Sequence, residues 1–222
     1  MSVHYQYSQP TAWCEINTKA LRHNYRAIRT LALKQADPYL REKVRLLSVV
    51  KAEAYGHGMI DVARVLQKDG CEFFAVSNVE EGVALRRAGI KGTILLFETC
   101  DPAAAREIVK NALVASVADL GLARALDREA RRVRKAAEIH VEADCGMNRL
   151  GVPANEVASF IRQLRMLKAV RVEGVFTHFP VADTDHVFTE AQITYFTDVI
   201  AGLVQEGVPI RHFHAANSMG LG

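Results

Sequence analysis

The sequence predicts an α/β fold built on a parallel sheet. Short apolar runs alternate along the chain with longer amphipathic stretches, and the runs are often continuous, as in strands buried on both faces. Strands that alternate regularly with helices pair in parallel, because each crossover needs its own helix. Seven runs rich in Val, Ile, Leu or Phe are the predicted strands: residues 46–51, 73–76, 93–97, 113–117, 138–143, 172–177 and 211–215.

Start and stop signals mark the predicted helices between these strands. Asn17 is suited to cap the first helix, and Asp101 followed by Pro102 is a cap with proline at the first helical position. Pro153 opens another helix in the same way. The longest helix is predicted over residues 189–205, since glycine and proline follow it closely. The helices therefore lie where a parallel sheet requires its crossovers.

Two parallel architectures fit this order of elements: an open doubly wound sheet and a closed (β/α)8 barrel of the TIM type. A barrel of that type has eight strands and about 250 residues. The chain has 222 residues and seven predicted strand–helix units, which is one strand short of closure. No linker interrupts residues 40–222. We predict an N-terminal tail over residues 1–11 and one domain over residues 12–222, and the pattern alone does not decide between the two architectures.

Composition and charge argue against several classes of protein. The net charge is +3 and both signs are interspersed, so no basic face indicates nucleic-acid binding. No apolar run approaches the length of a membrane span, and the N-terminus has no secretory signal pattern. The four cysteines have neither C-x-x-C spacing nor histidines at metal-ligand intervals, which favours reduced thiols and no metal site. These features predict a soluble cytoplasmic protein.

Polar and glycine residues gather where four predicted strands end, which is the rim at which parallel α/β proteins bind ligands. Lys51 ends the first strand, and its apolar surroundings favour the neutral, nucleophilic amine that forms Schiff bases. A lysine that only extends to solvent at the rim is the alternative interpretation. The glycines of the following AYGHG segment allow backbone N–H groups to approach an anion.

Five motifs then resemble those of the alanine racemase family, pyridoxal-phosphate enzymes that contain a barrel. VVKAEAYGHG is similar to the cofactor-lysine motif of this family. FFAVSNVEEGVALRRAGI, EADCGMNRLG, GVFTHFPVAD and HAANSMG follow in the family's order, so the resemblance spans about residues 12–220. It favours the barrel over the open sheet. It also implies that the barrel is incomplete, with the eighth strand and a C-terminal β-domain missing.

The resemblance implies that the rim binds pyridoxal 5'-phosphate. The residues implied in cofactor binding are Lys51, Tyr55, Arg149, His178, Asn217 and Ser218. Lys51 would carry the cofactor as a Schiff base and, as a free amine, serve as one of two proton-transfer bases. Arg149 would face the phenolic oxygen and His178 the pyridine ring, while the other three would lie near the phosphate.

Two positions depart from the family pattern. Glu142 stands where the family often has a carbamylated lysine; a native carboxylate can supply the same negative charge, and it can equally signal another substrate. Glu53 replaces an asparagine of the cofactor-lysine motif, with no clear consequence at the level of sequence. His140 and His212 lie within predicted strands and are assigned to structure.

The implied activity is the interconversion of L- and D-alanine, with serine as an alternative substrate. The whole protein would be a homodimer in which the missing β-domain supplies the second base, so little turnover is expected from this chain alone. Three other interpretations stay open. They are a stand-alone pyridoxal-phosphate-binding barrel that balances the cofactor without turnover, a decarboxylase or D-amino-acid lyase of the same fold, and a non-catalytic barrel remnant.

Overall fold

The computed structural model describes residues 14–221 and places seven strands in one parallel sheet whose order follows the chain. A further two-residue strand, β6, pairs with β5. The predicted tail over residues 1–11 lies outside the described residues. The strands are β1 Leu47–Val49, β2 Phe73–Val76, β3 Thr93–Leu96, β4 Val114–Ser116, β5 Ala137–Asp144, β6 Val152–Pro153, β7 Val170–Phe176 and β8 His212–His214.

Helices connect the strands and pack against the outside of the sheet. They are α1 Thr18–Gln35, α2 Lys51–Gly56, α3 Met59–Lys68, α4 Val79–Arg87, α5 Ala105–Lys110, α6 Leu120–Arg132, α7 Val157–Leu164 and α8 His186–Gln205, with 3-10 turns at Arg41–Lys43, Pro102–Ala104 and Ala154–Glu156. Within residues 14–221, no helix combines the length and apolarity needed to cross a bilayer.

The predicted helix starts are confirmed with small shifts. The Asn17 side chain accepts hydrogen bonds from two backbone N–H groups of α1, and Asp101 accepts one in the turn that follows it. Pro153 belongs to β6 and precedes its helix, because a 3-10 turn over Ala154–Glu156 comes first. α8 begins three residues before the predicted start, since Asp185 caps it.

Contacts across the sheet show that it curls into an incomplete barrel. The rings of Phe73 on β2 and His212 on β8 have centroids 5.3 Å apart, although four strands lie between them in the sheet. The rings of Phe97, directly after β3, and Phe176 on β7 approach in the same way, with centroids 5.9 Å apart. Distant strands meet like this only when the sheet curves round on itself. The prediction of an incomplete barrel is confirmed, and the open sheet is excluded.

The curved sheet separates two cores of different character. Outside it, most of the buried apolar side chains pack between strands and helices. Inside it, Ala75, Leu95 and Val114 form a small apolar cluster along β2 to β4. Along β5 and β8 the interior carries polar side chains instead: His140, Glu142, His212 and His214.

A single side chain fastens the N-terminal ends of β3 and β4. The Arg86 guanidinium donates hydrogen bonds at 2.6–3.0 Å to four backbone carbonyls, which belong to Ile90, Gly92, Asn111 and Ala112. Charge-assisted bonds to carbonyls at several points make this end of the barrel rigid. The opposite rim, where the strands end, is the one left for a ligand.

Candidate functional site

The residues predicted to form a site follow strands that end at one rim. Because β1, β5, β7 and β8 run parallel, their C-terminal ends point the same way. Lys51 follows β1, Arg149 follows β5, His178 follows β7 and Asn217 follows β8. Four sequence motifs that lie far apart along the chain therefore converge on one end of the barrel.

The chain changes conformation abruptly after Lys51. Residues 52–55, the left-handed turn, have φ values between 50° and 56°. Left-handed helical backbone costs an L-residue about 1–2 kcal/mol, and it is seldom found in runs. A hydrogen bond of 2.9 Å from the Ala54 N–H to the Val50 carbonyl offsets part of that cost. The sequence predicted a glycine-containing loop here, and the turn was missed because none of its four residues is glycine.

Lys51, Arg149 and His178 share one electrostatic environment. Burial lowers the pKa of the His178 imidazole, and the positive charges of Arg149 and Lys51 lower it further. Charges affect a neighbouring pKa in this way only at short range, so the two cations lie near the ring. Lys51 is partly buried and Arg149 is exposed. Both cations are therefore accessible to an anionic ligand, beside an imidazole that is neutral at pH 7.

The other three predicted residues meet the rim in different ways. Tyr55 lies in the left-handed turn with 62% of its surface exposed, and Ser218 is also exposed. Asn217 has its amide engaged: Nδ2 donates to the Phe179 carbonyl at 2.8 Å, and Oδ1 accepts from the Gly220 N–H at 2.9 Å. Asn217 thus ties the loop after β8 to the loop after β7.

Glu142 is a buried carboxyl group beneath this rim. Only 7% of the residue is exposed, and burial raises the pKa of Glu142 to about 7. The charge of Arg149 opposes this shift, while Asp144 adds to it. Glu142 therefore changes its charge near neutral pH, and the balance of charge around Arg149 changes with it.

Two histidines form a hydrogen-bonded pair inside the barrel. His140 Nδ1 and His214 Nε2 are 2.8 Å apart, and His214 stacks on Phe176 with ring centroids 4.8 Å apart. Burial, and next the neighbouring histidines, lower the pKa of both rings, that of His214 to about 4. Both rings are uncharged at neutral pH, so one nitrogen donates and the other accepts. The sequence interpretation missed this pair, which the alternate spacing of His212 and His214 could have indicated.

The structure gives Glu53 a structural role. Its Oε2 accepts a hydrogen bond from the N–H of Met59, the first residue of α3, at 3.1 Å. Gly58, at the cap position of that helix, has no side chain to do so. Glu53 thus satisfies one of the unpaired N–H groups that every helix start presents.

The fold and the rim together define a class of protein: an incomplete (β/α) barrel that brings a lysine, an arginine and a neutral histidine together at its strand ends. Comparison with known proteins gives the family. The family model "Alanine racemase, N-terminal domain" matches residues 16–221. The chain therefore belongs to the alanine racemase N-terminal domain family.

Individual relatives agree with this assignment. The chain is 40% identical to an alanine racemase of Syntrophobacter fumaroxidans over 211 residues, covering 95% of this chain and 54% of the relative. The solved alanine racemase of Clostridium difficile superposes with a TM-score of 0.87 at 32% identity, covering 96% of this chain and 58% of the other. A histidine racemase of Leuconostoc mesenteroides shares the fold, with a TM-score of 0.79 at 21% identity over 92% of this chain and 52% of the other. The chain spans about half the length of the curated relatives it matches.

Proposed function

We propose that this chain is the cofactor-binding half of a pyridoxal-phosphate-dependent amino-acid racemase. The observation that carries the proposal is the position of Lys51, a partly buried lysine at the end of β1. Its positive charge, like that of Arg149 at the same rim, lowers the pKa of His178. An amine placed in this way can form a Schiff base with an aldehyde cofactor. The relatives are named alanine racemases, which makes alanine the proposed substrate and serine the alternative.

The donor set at the rim fits pyridoxal 5'-phosphate. The exposed guanidinium of Arg149 suits the cofactor's phenolate oxygen. The neutral imidazole of His178 offers a flat face to its ring. The exposed hydroxyl groups of Tyr55 and Ser218 suit its phosphate oxygens. Asn217 has its amide bound to backbone groups, so we assign it to holding the loop that carries Ser218.

Each rim residue then has a defined task. Bound pyridoxal phosphate supplies an electron sink that weakens the Cα–H bond of an attached amino acid. Lys51 Nζ accepts the α-proton on one face of the substrate and can return a proton to that face. Arg149 binds and orients the phenolate oxygen of the cofactor. The ionised form of Glu142, beneath the rim, balances part of the positive charge of Arg149.

Trapping with borohydride tests the role of Lys51. The purified chain is mixed with pyridoxal phosphate, and its visible absorbance is recorded before and after reduction. We expect a band distinct from that of the free cofactor, and after reduction a cofactor-bearing peptide that contains Lys51. Lys51→Ala and Lys51→Arg should both lose the labelled peptide, because neither side chain can form the Schiff base. Lys68→Ala, which changes an exposed lysine on α3, should keep it.

The outcomes of this experiment separate the interpretations. A labelled peptide that survives Lys51→Arg would place the attachment on another lysine and contradict the proposal. No labelling of a folded wild-type chain would favour a non-catalytic barrel. Labelling that depends on Lys51 would support the cofactor site without deciding whether the chain turns a substrate over.

Little racemase turnover is expected from the 222 residues alone. Racemisation needs a proton-transfer group on each face of the substrate, and the residues proposed above serve one. The measurement is the formation of D-alanine from L-alanine by the cofactor-loaded chain, followed with a D-amino-acid oxidase. Turnover in the range of ordinary enzymes, about 1–1000 per second, would contradict this expectation.

The whole protein is proposed to be a cytoplasmic homodimer in which a further domain supplies the second proton-transfer group. The cytoplasmic location is supported by the four cysteines, which are free thiols in the structure: Cys14, Cys71, Cys100 and Cys145. The dimer is supported by the resemblance alone. No nucleic-acid partner is proposed, since both signs of charge are interspersed along the chain.

A further inference from the structure

One glutamate joins the left-handed turn to the end of the neighbouring strand. Glu81 Oε1 accepts a hydrogen bond from the Ala52 N–H at 2.7 Å, and Glu81 Oε2 accepts one from the Ser77 N–H at 2.8 Å. Ala52 is the residue directly after Lys51, and Ser77 directly follows β2. A single carboxylate therefore fixes the backbone next to Lys51 to the adjacent strand end.

This use of Glu81 departs from the usual geometry of a helix start. Asn78 caps α4, and its Oδ1 accepts from the Glu81 N–H at 3.0 Å. In a capping box, the glutamate at the third helical position returns the bond to the N–H of the cap residue itself. Here the carboxylate binds the N–H groups of Ser77 and Ala52 instead. The contact with Ala52 contributes nothing to capping α4, so it needs another explanation.

The left-handed turn supplies that explanation. Each of its four residues is in a backbone conformation that L-residues avoid, so the surrounding structure must hold it there. Ala52 is the first residue of the left-handed turn. Within residues 14–221, its hydrogen bond to Glu81 is the side-chain bond that ties this residue to a part of the chain outside the turn. A carboxylate acceptor makes shorter and stronger bonds to N–H groups than a neutral acceptor does.

We propose that Glu81 is a positioning residue for Lys51, because its carboxylate bridges the Ala52 and Ser77 amides and holds the left-handed turn in place. The inference rests on the proposed function in that Lys51 is taken to carry the cofactor. When the bridge is intact, the backbone on both sides of Lys51 is fixed, by β1 before it and by Glu81 after it. When the bridge is lost, the turn can relax to right-handed or extended conformations, and the lysine amine moves with it.

Glu81→Gln breaks the bridge while it keeps the size of the side chain almost unchanged. Its amide oxygen can accept one of the two bonds, whereas its NH2 group would face an N–H donor and can accept nothing. Glu81→Asp keeps the charge but is one methylene shorter, so it cannot span both amides. Asn78→Ala weakens the start of α4 without touching the Ala52 bond, and Glu80→Gln changes an exposed glutamate beside Glu81.

Two readouts are needed, one of them without cofactor. In the cofactor-free chain, we expect amide hydrogen exchange at Ala52 to be about tenfold faster in Glu81→Gln and Glu81→Asp, which corresponds to about 1.4 kcal/mol. With pyridoxal phosphate, we expect both variants to need about tenfold more cofactor for half-maximal labelling of Lys51. Asn78→Ala and Glu80→Gln should keep the wild-type Ala52 exchange and labelling, although Asn78→Ala is less stable overall.

The possible results distinguish this inference from the function on which it rests. If the wild-type chain is not labelled at Lys51, the proposed function is wrong, while faster Ala52 exchange in Glu81→Gln would still support the bridge. If the wild-type chain is labelled and Glu81→Gln matches it in both readouts, the positioning role is wrong. If Asn78→Ala impairs labelling as much as Glu81→Gln, Glu81 acts only through the stability of α4, and the inference fails.

Discussion

Glu142→Gln is expected to raise the free energy of unfolding by about 3 kcal/mol at pH 8 and to change it little at pH 4.5. Burial raises the pKa of Glu142 from 4.5 to about 7. At pH 8 the folded protein therefore holds a desolvated charge, at a cost of about 1.4 kcal/mol for each pKa unit. Glutamine has nearly the same size and carries no charge, so the variant avoids this cost.

The direction of the pH dependence follows from the proton balance. Between pH 4.5 and 7 the folded protein keeps a proton on Glu142 that the unfolded chain has released. The stabilising contribution of this group is thus complete below pH 4.5 and is lost as the pH rises through 7. The difference between variant and wild type should grow over the same interval.

The contribution of His214 to stability has the opposite pH dependence over much of the same pH range. Burial, and next His212, lower its pKa from 6.5 to about 4, so the unfolded chain binds a proton here that the folded protein excludes. Its contribution is complete above pH 6.5 and is lost as the pH falls towards 4. In the wild-type chain the contributions of Glu142 and His214 oppose each other between pH 4.5 and 6.5. Glu142→Gln removes one of them, so the variant should lose stability steeply on acidification.

Urea denaturation of wild type and variant at pH 5, 6.5 and 8 measures both effects. Glu138→Gln is the matched control, because Glu138 is an exposed carboxylate on the same strand, and its replacement should change the stability by less than about 0.5 kcal/mol. A difference between Glu142→Gln and wild type that is the same at all three pH values would show that the buried charge is not its source. Under the proposed function, the variant should also bind the anionic pyridoxal phosphate more tightly at pH 8, because Glu142 no longer balances part of the positive charge of Arg149.

Gly174→Ala is expected to lower the free energy of unfolding by about 3 kcal/mol, the upper end for overpacking a core. A Cβ atom on Gly174 would lie 2.6 Å from Cε1 and Nε2 of the His140 ring. That ring is buried and held by His214, so it cannot move aside without breaking the pair. The register between β5 and β7 also shifts next to His140, so the backbone here is already irregular.

Gly202→Ala provides a control in which the same glycine-to-alanine change is expected to raise the free energy of unfolding. Gly202 lies inside α8, and an added Cβ would meet no atom within 4 Å. Replacing glycine by alanine in a helix raises stability by about 0.5–1 kcal/mol. Both variants are compared with wild type by urea denaturation at pH 7. Equal midpoints for Gly174→Ala and wild type would mean that the His140 ring is not fixed against β7.

The sequence by itself determined the number and order of the strands and the end of the barrel at which a site can lie. Continuous apolar runs and helix caps are local signals, so the seven strands and the helix starts at Asn17 and Asp101 could be predicted within a few residues. Parallel pairing then places Lys51, Arg149 and His178 at the same rim without knowledge of any contact. The choice of a barrel over an open sheet needed the resemblance between five motifs, because both architectures share this local pattern.

Only the tertiary structure decided how the site is held and charged. The left-handed turn after Lys51 has no local signal, and it persists because Glu81, from the next strand–helix unit, binds its first residue. The pKa of Glu142 and the pairing of His140 with His214 depend on burial and on contacts between residues far apart in the chain. Burial and long-range hydrogen bonds come into existence only when the sheet curls, so a pattern read along the chain cannot contain them.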